Sequence, residues 1–144
     1  MSAPVEGARH QARELVFRVA YQSDLIGDSI GELWKQLPEA AELADDPREL
    51  ATDLTGALSA NLASIDESIA SAASHWPLAR LAATDRAVLR LAVAELIARP
   101  GTPARVVLDE AIMIARRFGS DESGGFVNGV LDRVARTLRP AEFA

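Results

Sequence analysis

Thr84–Ile97, TDRAVLRLAVAELI, decides the fold. Val88, Leu89, Ala92, Val93, Leu96 and Ile97 recur at 3.6-residue spacing, the signature of an amphipathic helix. The segment is expected to start at a Thr84 cap and to stop before Pro100. Upstream, "SHWPLARLAATD" is a break, because Pro77 cannot continue a helix. Downstream, "RPGTPARVV" turns into another helix capped by Thr102 with Pro103 at its first position.

The same periodicity extends outward in both directions. A first helix over about Ala8–Leu25 carries Ala12, Leu15, Val16, Val19 and Ala20 on one face and ends at Gly27. Ser29 and Glu32 have capping-box spacing for a short second helix. "LPEAAELADDPREL" reads as a connector that ends in a helix start, with Asp46 as cap and Pro47 in the first turn. A long third helix is expected over about Pro47–Ser74, carried by Leu50, Leu54, Leu58, Leu62, Ile65 and Ile69. Beyond Thr102, Val107, Ala111, Ile114 and Phe118 form a stripe that ends at Gly119, expected as a left-handed stop. The last helix runs from about Ser123 to Leu138, with Val127, Val130, Leu131, Val134 and Leu138 facing the core, and Pro140 breaks it. No segment alternates with period two. The fold class is all-α, six to seven helices, with the break near Pro77 dividing a helical half of about 1–76 from one of about 77–144.

Composition narrows the function. With 144 residues, 49% hydrophobic, 25% charged and no cysteine, the chain is long enough for one packed domain and excludes disulfides and thiolate metal sites. The opening MSAPVEGARHQAR lacks the order of a signal peptide, and charges interrupt every apolar run short of a membrane span. Net charge is −6, concentrated at −9 in residues 23–75, with +1 before and +2 after. Such a chain does not attract nucleic acid through its overall field. It needs a local basic face or a basic partner, and the acidic middle fits either such a partner or a solvated surface.

No catalytic pattern emerges. The two histidines, His10 and His75, have no metal-ligand or triad spacing. The pairs Asp45-Asp46, Asp109-Glu110 and Asp121-Glu122 are sequential and face apart on a helix. No cofactor or metal site is expected, and the chain reads as a non-enzyme.

Arginines and rings carry more information. Arg9, His10, Arg13, Phe17 and Tyr21 share a side of the first helix off its apolar stripe. Cations interleaved with rings suit single-stranded RNA, whose bases stack while arginines hold phosphates. The same spacing also fits Phe17 and Tyr21 as ordinary core facing a second neighbour. In "GSDESGGFVNGVLDR" (119–133), Phe126 falls about 100° off the core stripe, next to Arg133 seven residues on. Gly129 in mid-helix is expected to allow close approach of a neighbour, and Asn128 to bond an adjacent helix end or loop.

Three stretches, "HQARELVFRVAYQ" (10–22), "DRAVLRLAVAEL" (85–96) and "PARVVLDEAIMIARRFGSDESGGFVNGVLDRVAR" (103–136), closely resemble, in sequence and in order, the bacterial transcription antitermination factor family NusB. The resemblance implies two three-helix bundles packed roughly at right angles, and a cytoplasmic, non-enzymatic protein. It implies pairing with NusE, a small-subunit ribosomal protein, binding of the boxA element of nascent ribosomal RNA, and assembly into an RNA polymerase antitermination complex. Carried over residue by residue, it implies RNA contact by Arg9, His10 and Arg13 of the arginine-rich motif, by Tyr21 at its end, and by Phe126. It implies partner contact by Asp85, Asp121 and Glu122. Where family members often have consecutive arginines, this chain has His10 and Gln11, so weaker RNA binding without the partner is expected. The same fold forms the N-terminal domain of a ribosomal RNA cytosine methyltransferase; with no cofactor domain read before Ala144, that enzyme is expected only if the chain is a fragment. A helical protein-interaction module, possible as a homodimer, is the remaining alternative.

Overall fold

A computed structural model describes residues 5–144, with side chains from Gly7 onward. The opening Met1–Pro4, part of the stretch without a signal peptide's order, lies outside the described residues. These hold eight α-helices and no strand: α1 Val5–Ile26, α2 Ile30–Gln36, α3 Pro38–Ala41, α4 Asp45–Ala60, α5 Leu62–Ala72, α6 Ala83–Ala98, α7 Ala104–Phe118 and α8 Ser123–Leu138. Short 3₁₀ turns occupy Leu78–Arg80 and Pro140–Phe143.

Helix α6 is the axis of the molecule. It packs against α1, α4, α5, α7 and α8, and Ala87–Leu89 and Leu91–Leu96 are all buried. One core therefore spans both sides of Pro77. On α1 the expected stripe of Ala12, Leu15, Val16, Val19 and Ala20 is buried. Arg13 and Phe17 are buried as well, because α1 is covered by α4 on one side and α6 on the other.

Local signals set some boundaries. Gly27 ends α1 with φ +84, a conformation glycine adopts without steric cost. The Ser29 side chain accepts from the Glu32 N–H at 3.2 Å and starts α2. The expected helix over 47–74 is instead two, divided at Asn61 (φ −121, ψ 20). Residues at i+4 drift about 40° per step around a 3.6-residue helix, so a straight continuation carries Leu62 off the stripe; it is exposed, while the bend returns Ile65 and Ile69 to the core.

Three expected caps are not used. Helix α4 starts behind Ala44 and not Asp46, and α6 starts behind Ala82 and not Thr84, neither with a side-chain cap. Helix α7 starts at Ala104 after Pro103, and its Ala104 N–H donates to Glu142 Oε1 at 2.9 Å, in place of Thr102. Gly119 has φ −98 and not a left-handed angle. Its role is steric: a Cβ there would lie 2.4 Å from Ser123 Oγ and 2.8 Å from the Ala115 carbonyl oxygen. Ile97, Phe118 and Leu138, expected in the apolar stripes, end exposed.

Polar ties fasten α6 to its neighbours. Asp24 on α1 accepts from Arg86 Nε and Nη2 at 2.9 and 2.6 Å and from Arg90 Nη1 at 3.1 Å. Arg90 also binds Asp66 of α5 with two bonds of 2.8 and 2.9 Å. Burial alone would raise the Asp24 carboxyl, but the Arg86 and Arg90 guanidiniums outweigh it and hold it below the ordinary carboxylate value.

Candidate nucleic-acid interface

The sequence-predicted residues divide into an N-terminal cluster on α1 and a C-terminal cluster around α8. In the N-terminal cluster, Arg9 forms a two-bond pair with Asp46, both bonds 2.9 Å. His10 contacts Glu110 through Nδ1 and Glu14 at 3.0 Å through Nε2. Glu14 also receives Arg117 Nη1 at 2.8 Å.

Arg13 requires correction. Its side chain is 2% exposed, and Nε and Nη2 donate to the Glu95 carboxylate at 2.8 and 2.7 Å; Nη1 lies 3.5 Å from Glu110 Oε1. It is a buried ion-pair partner and not part of an RNA-facing surface. The reason lies on α6: Glu95 sits on a helix buried almost all round, and a buried carboxylate requires a cation. The sequence held this signal in the acid of "LAVAEL", one residue in an otherwise apolar run.

Tyr21 and Phe17 resolve differently. Phe17 is buried, its ring tilted by 32° against Phe118 with centroids 5.1 Å apart and 6.2 Å from that of Tyr21. Tyr21 is half-buried and lines a recess of about 540 Å³ with Arg18, Thr84, Phe118 and the exposed Leu25 and Ile26. Arg117 lies 5.0 Å above the Phe118 ring. Phe118 thus belongs to this aromatic surface, although its sequence position suggested core.

Around α8, the N-terminus is built by a compact turn. The Ser120 N–H donates to Ser123 Oγ at 3.0 Å, and Gly119 makes room for that side chain. This fixes Phe126 one turn into the helix, half-buried against the core. Its ring meets Trp76 edge-on, centroids 6.3 Å apart and planes at 79°. Trp76, not singled out by sequence, is 59% exposed. Arg133 is exposed on the same face and donates to the Ala72 carbonyl at 3.0 Å.

Asp85 joins this cluster. A recess of about 220 Å³ is lined by Trp76, Arg80, Asp85, Glu122, Ser123 and Phe126. Asp85 Oδ1 is buried there without a hydrogen-bond partner, so it presents an unused acceptor to an entering donor. Glu122 faces the same recess, whereas Asp121 is exposed on the loop before it. Two expectations for α8 fail. A Cβ at Gly129 would meet nothing within 4 Å, so no neighbour approaches there. Asn128 is exposed, with its side chain in no hydrogen bond.

Among the described residues no group of three His, Cys, Asp or Glu could hold a metal, and no helix is long and apolar enough to cross a membrane.

The NusB family model matches residues 10–136. The transcription antitermination protein NusB of Sorangium cellulosum (strain So ce56) is 40% identical over 136 residues, covering 92% of this chain and 94% of that protein. That of Anaeromyxobacter dehalogenans (strain 2CP-1) is 41% identical over 138 residues, with coverage of 92% and 94%. Among solved structures, T. maritima NusB superposes with a TM-score of 0.86 at 34% identity, covering 99% of each chain. A chain from the crystal structure of antitermination factors NusB and NusE in complex with dsRNA gives a TM-score of 0.80 at 31% identity, covering 90% of this chain and 97% of that one. The chain is an all-helical protein of the transcription antitermination class. It belongs to the NusB family.

Proposed function

We propose that the chain is a cytoplasmic, non-enzymatic antitermination factor. It pairs with NusE, binds the boxA element of nascent ribosomal RNA, and joins the antitermination complex on RNA polymerase. In this reading, Phe126 and Tyr21 offer rings to bases, and Arg9, His10 and Arg133 meet phosphates. Asp85, Asp121 and Glu122 face the basic partner, and the helical halves of about 1–76 and 77–144 act as one unit.

The observation that carries the proposal is the Phe126 surface: a half-buried ring beside an exposed tryptophan, with the exposed Arg133 on the same face. Such a surface offers stacking and a cation together, as a single strand requires.

The cation supply explains the partner. The chain carries net charge −6; Arg13 is committed to Glu95, and Arg9 must release Asp46 to reach a phosphate. A basic partner supplies the missing phosphate contacts. Fluorescence anisotropy with a labelled boxA RNA tests this: weak binding by the chain alone and tight binding with NusE are expected at physiological salt. Each phosphate contact contributes about 0.7 to the logarithmic salt slope for a single strand, and the NusE complex should have the steeper slope. Tight binding by the chain alone overturns the partner dependence.

The exposed Leu25 and Ile26 beside Phe118 favour one second reading, a self-associating helical module. Light scattering that finds a dimer, with no RNA binding when NusE is added, would select it.

A further inference from the structure

We infer that the groove between α5 and α8 carries the RNA strand onward from Phe126, with Trp76 as a second stacking ring and Arg133 as the cation midway. This rests on the RNA reading of the Phe126 surface.

The groove is continuous with that surface. The recess beside Asp85 and a cavity of about 260 Å³ share Trp76 and Phe126 in their walls. The second cavity runs past His75, Gly125 and Gly129 to Arg133. Arg133 also lines a third cavity of about 420 Å³ between α5 and α8, with Ser64, Ser68, Ser71 and Thr137.

Packing explains little of what lines this path. Trp76 is 59% exposed and gains little from burial. Its backbone is fixed by the N–H bond to the Ala73 carbonyl at 2.9 Å and by Pro77, which restricts the preceding residue to extended conformations. The ring is thus presented by the chain and not buried by its neighbours. Gly125 and Gly129 lie one turn apart on α8, and a Cβ at either would enter open space. Glycine is among the least favourable residues within a helix, and here no close neighbour requires it. The two glycines leave a bare floor between the rings and Arg133.

The lining suits a single strand better than a protein. A docked helix needs large apolar anchors at i, i+3, i+4 and i+7, and beyond Ala72, Val134 and Leu138 the α5–α8 cavity is walled by hydroxyls and charges. Ser68 and Ser71 spend their hydroxyls on no protein group. Arg133 uses Nη1 on the Ala72 carbonyl and stands in the wall of both cavities. Rings for bases, an arginine for phosphate and hydroxyls for the sugar-phosphate chain match the contacts a single strand uses. Glu67 is the acid in this wall and opposes the strand.

Two measurements test the groove on the full chain with NusE and a boxA-type single-stranded RNA. The chain has two tryptophans, Trp34 and Trp76, so Trp34→Phe leaves Trp76 as the reporter. Its emission should be quenched as RNA is added. In anisotropy titrations Trp76→Ala and Gly129→Leu should each weaken RNA binding about tenfold, within the range for a lost stacked base, and Glu67→Gln should tighten it. NusE affinity measured without RNA should not change. If wild type binds RNA and Phe126→Ala weakens it while Trp76 emission and both groove variants stay at wild-type values, the groove inference fails and the RNA reading stands. If the wild-type pair does not bind RNA, the RNA reading fails. If Gly129→Leu weakens NusE binding without RNA, the groove takes protein and the inference is overturned. If Gly129→Leu does not fold, Trp76 emission and Trp76→Ala decide.

Discussion

Replacing Arg13 by methionine should destabilise the fold more than it weakens RNA binding. Methionine keeps an unbranched stem of similar reach but removes the guanidinium. Glu95 would then lose two charge-assisted bonds of 2.8 and 2.7 Å while its side chain stays 2% exposed on α6. The 3.5 Å contact with Glu110 is lost too, but Glu110 keeps His10, so the cost concentrates on Glu95. Breaking one partner of a buried pair costs about 3–5 kcal/mol, a large share of the roughly 5–15 kcal/mol that holds a domain together. At about 3 °C per kcal/mol for a chain of this size, Tm should fall by about 10–15 °C. The double variant Arg13→Met with Glu95→Leu should recover most of the loss, because it removes the stranded charge as well. Thermal unfolding by circular dichroism reads the stability, and anisotropy with NusE and RNA well below the variant's Tm reads binding. A Tm within 2–3 °C of wild type (below about 1 kcal/mol) together with a large loss of RNA affinity would refute the reasoning and return Arg13 to the RNA-facing surface.

Phe126→Ala should weaken RNA binding by about 1–3 kcal/mol, as for a lost stacked base; since the ring is half-buried against the core, a modest fall in Tm is expected alongside, and unchanged RNA affinity would count against its stacking role. Asp24→Asn should cost about 1.5–3 kcal/mol for bonds to charged groups. Because the folded-state value of Asp24 is depressed, its contribution is present above the unfolded value near 3.9 and lost as pH falls through the folded value; urea unfolding should therefore show the gap to wild type closing below about pH 4. Gly129→Ala fills open space on a helix and should stabilise by up to about 1 kcal/mol, whereas Gly119→Ala drives a Cβ toward Ser123 Oγ and the Ala115 carbonyl and should lower Tm.

What was legible in the sequence is what the chain decides locally. Apolar periodicity located α1, α6, α7 and α8, Gly27 ended α1, and Ser29 opened α2, because each depends on neighbours within a turn or two. The α7 start was not legible, since its capping carboxylate comes from Glu142, far along the chain. Nor was the bend at Asn61, which depends on where the core lies relative to a drifting stripe. At the candidate site, Phe126 announced itself by standing off its stripe, and Asp85 and Glu122 came from the family resemblance. Arg13 misled because one helix was read by itself; paired with Glu95 it is a core residue. Trp76 carries no periodic signal, since it sits in a break, and only its exposure and its contact with Phe126 bring it forward.

Helix α6 also constrains the order in which the chain can assemble during synthesis. Helices α1, α4 and α5 all pack against a segment that follows them in the chain, and Arg13 and Asp24 wait on Glu95, Arg86 and Arg90. Until residue 98 has left the ribosome, the N-terminal helices have an uncovered apolar side and unanswered charges. Synthesis proceeds at about 5–20 residues per second, so this exposure lasts seconds, and the nascent half is then a substrate for chaperones and proteases. A chain released before α6 is made would keep that apolar side uncovered, the state in which aggregation competes with folding.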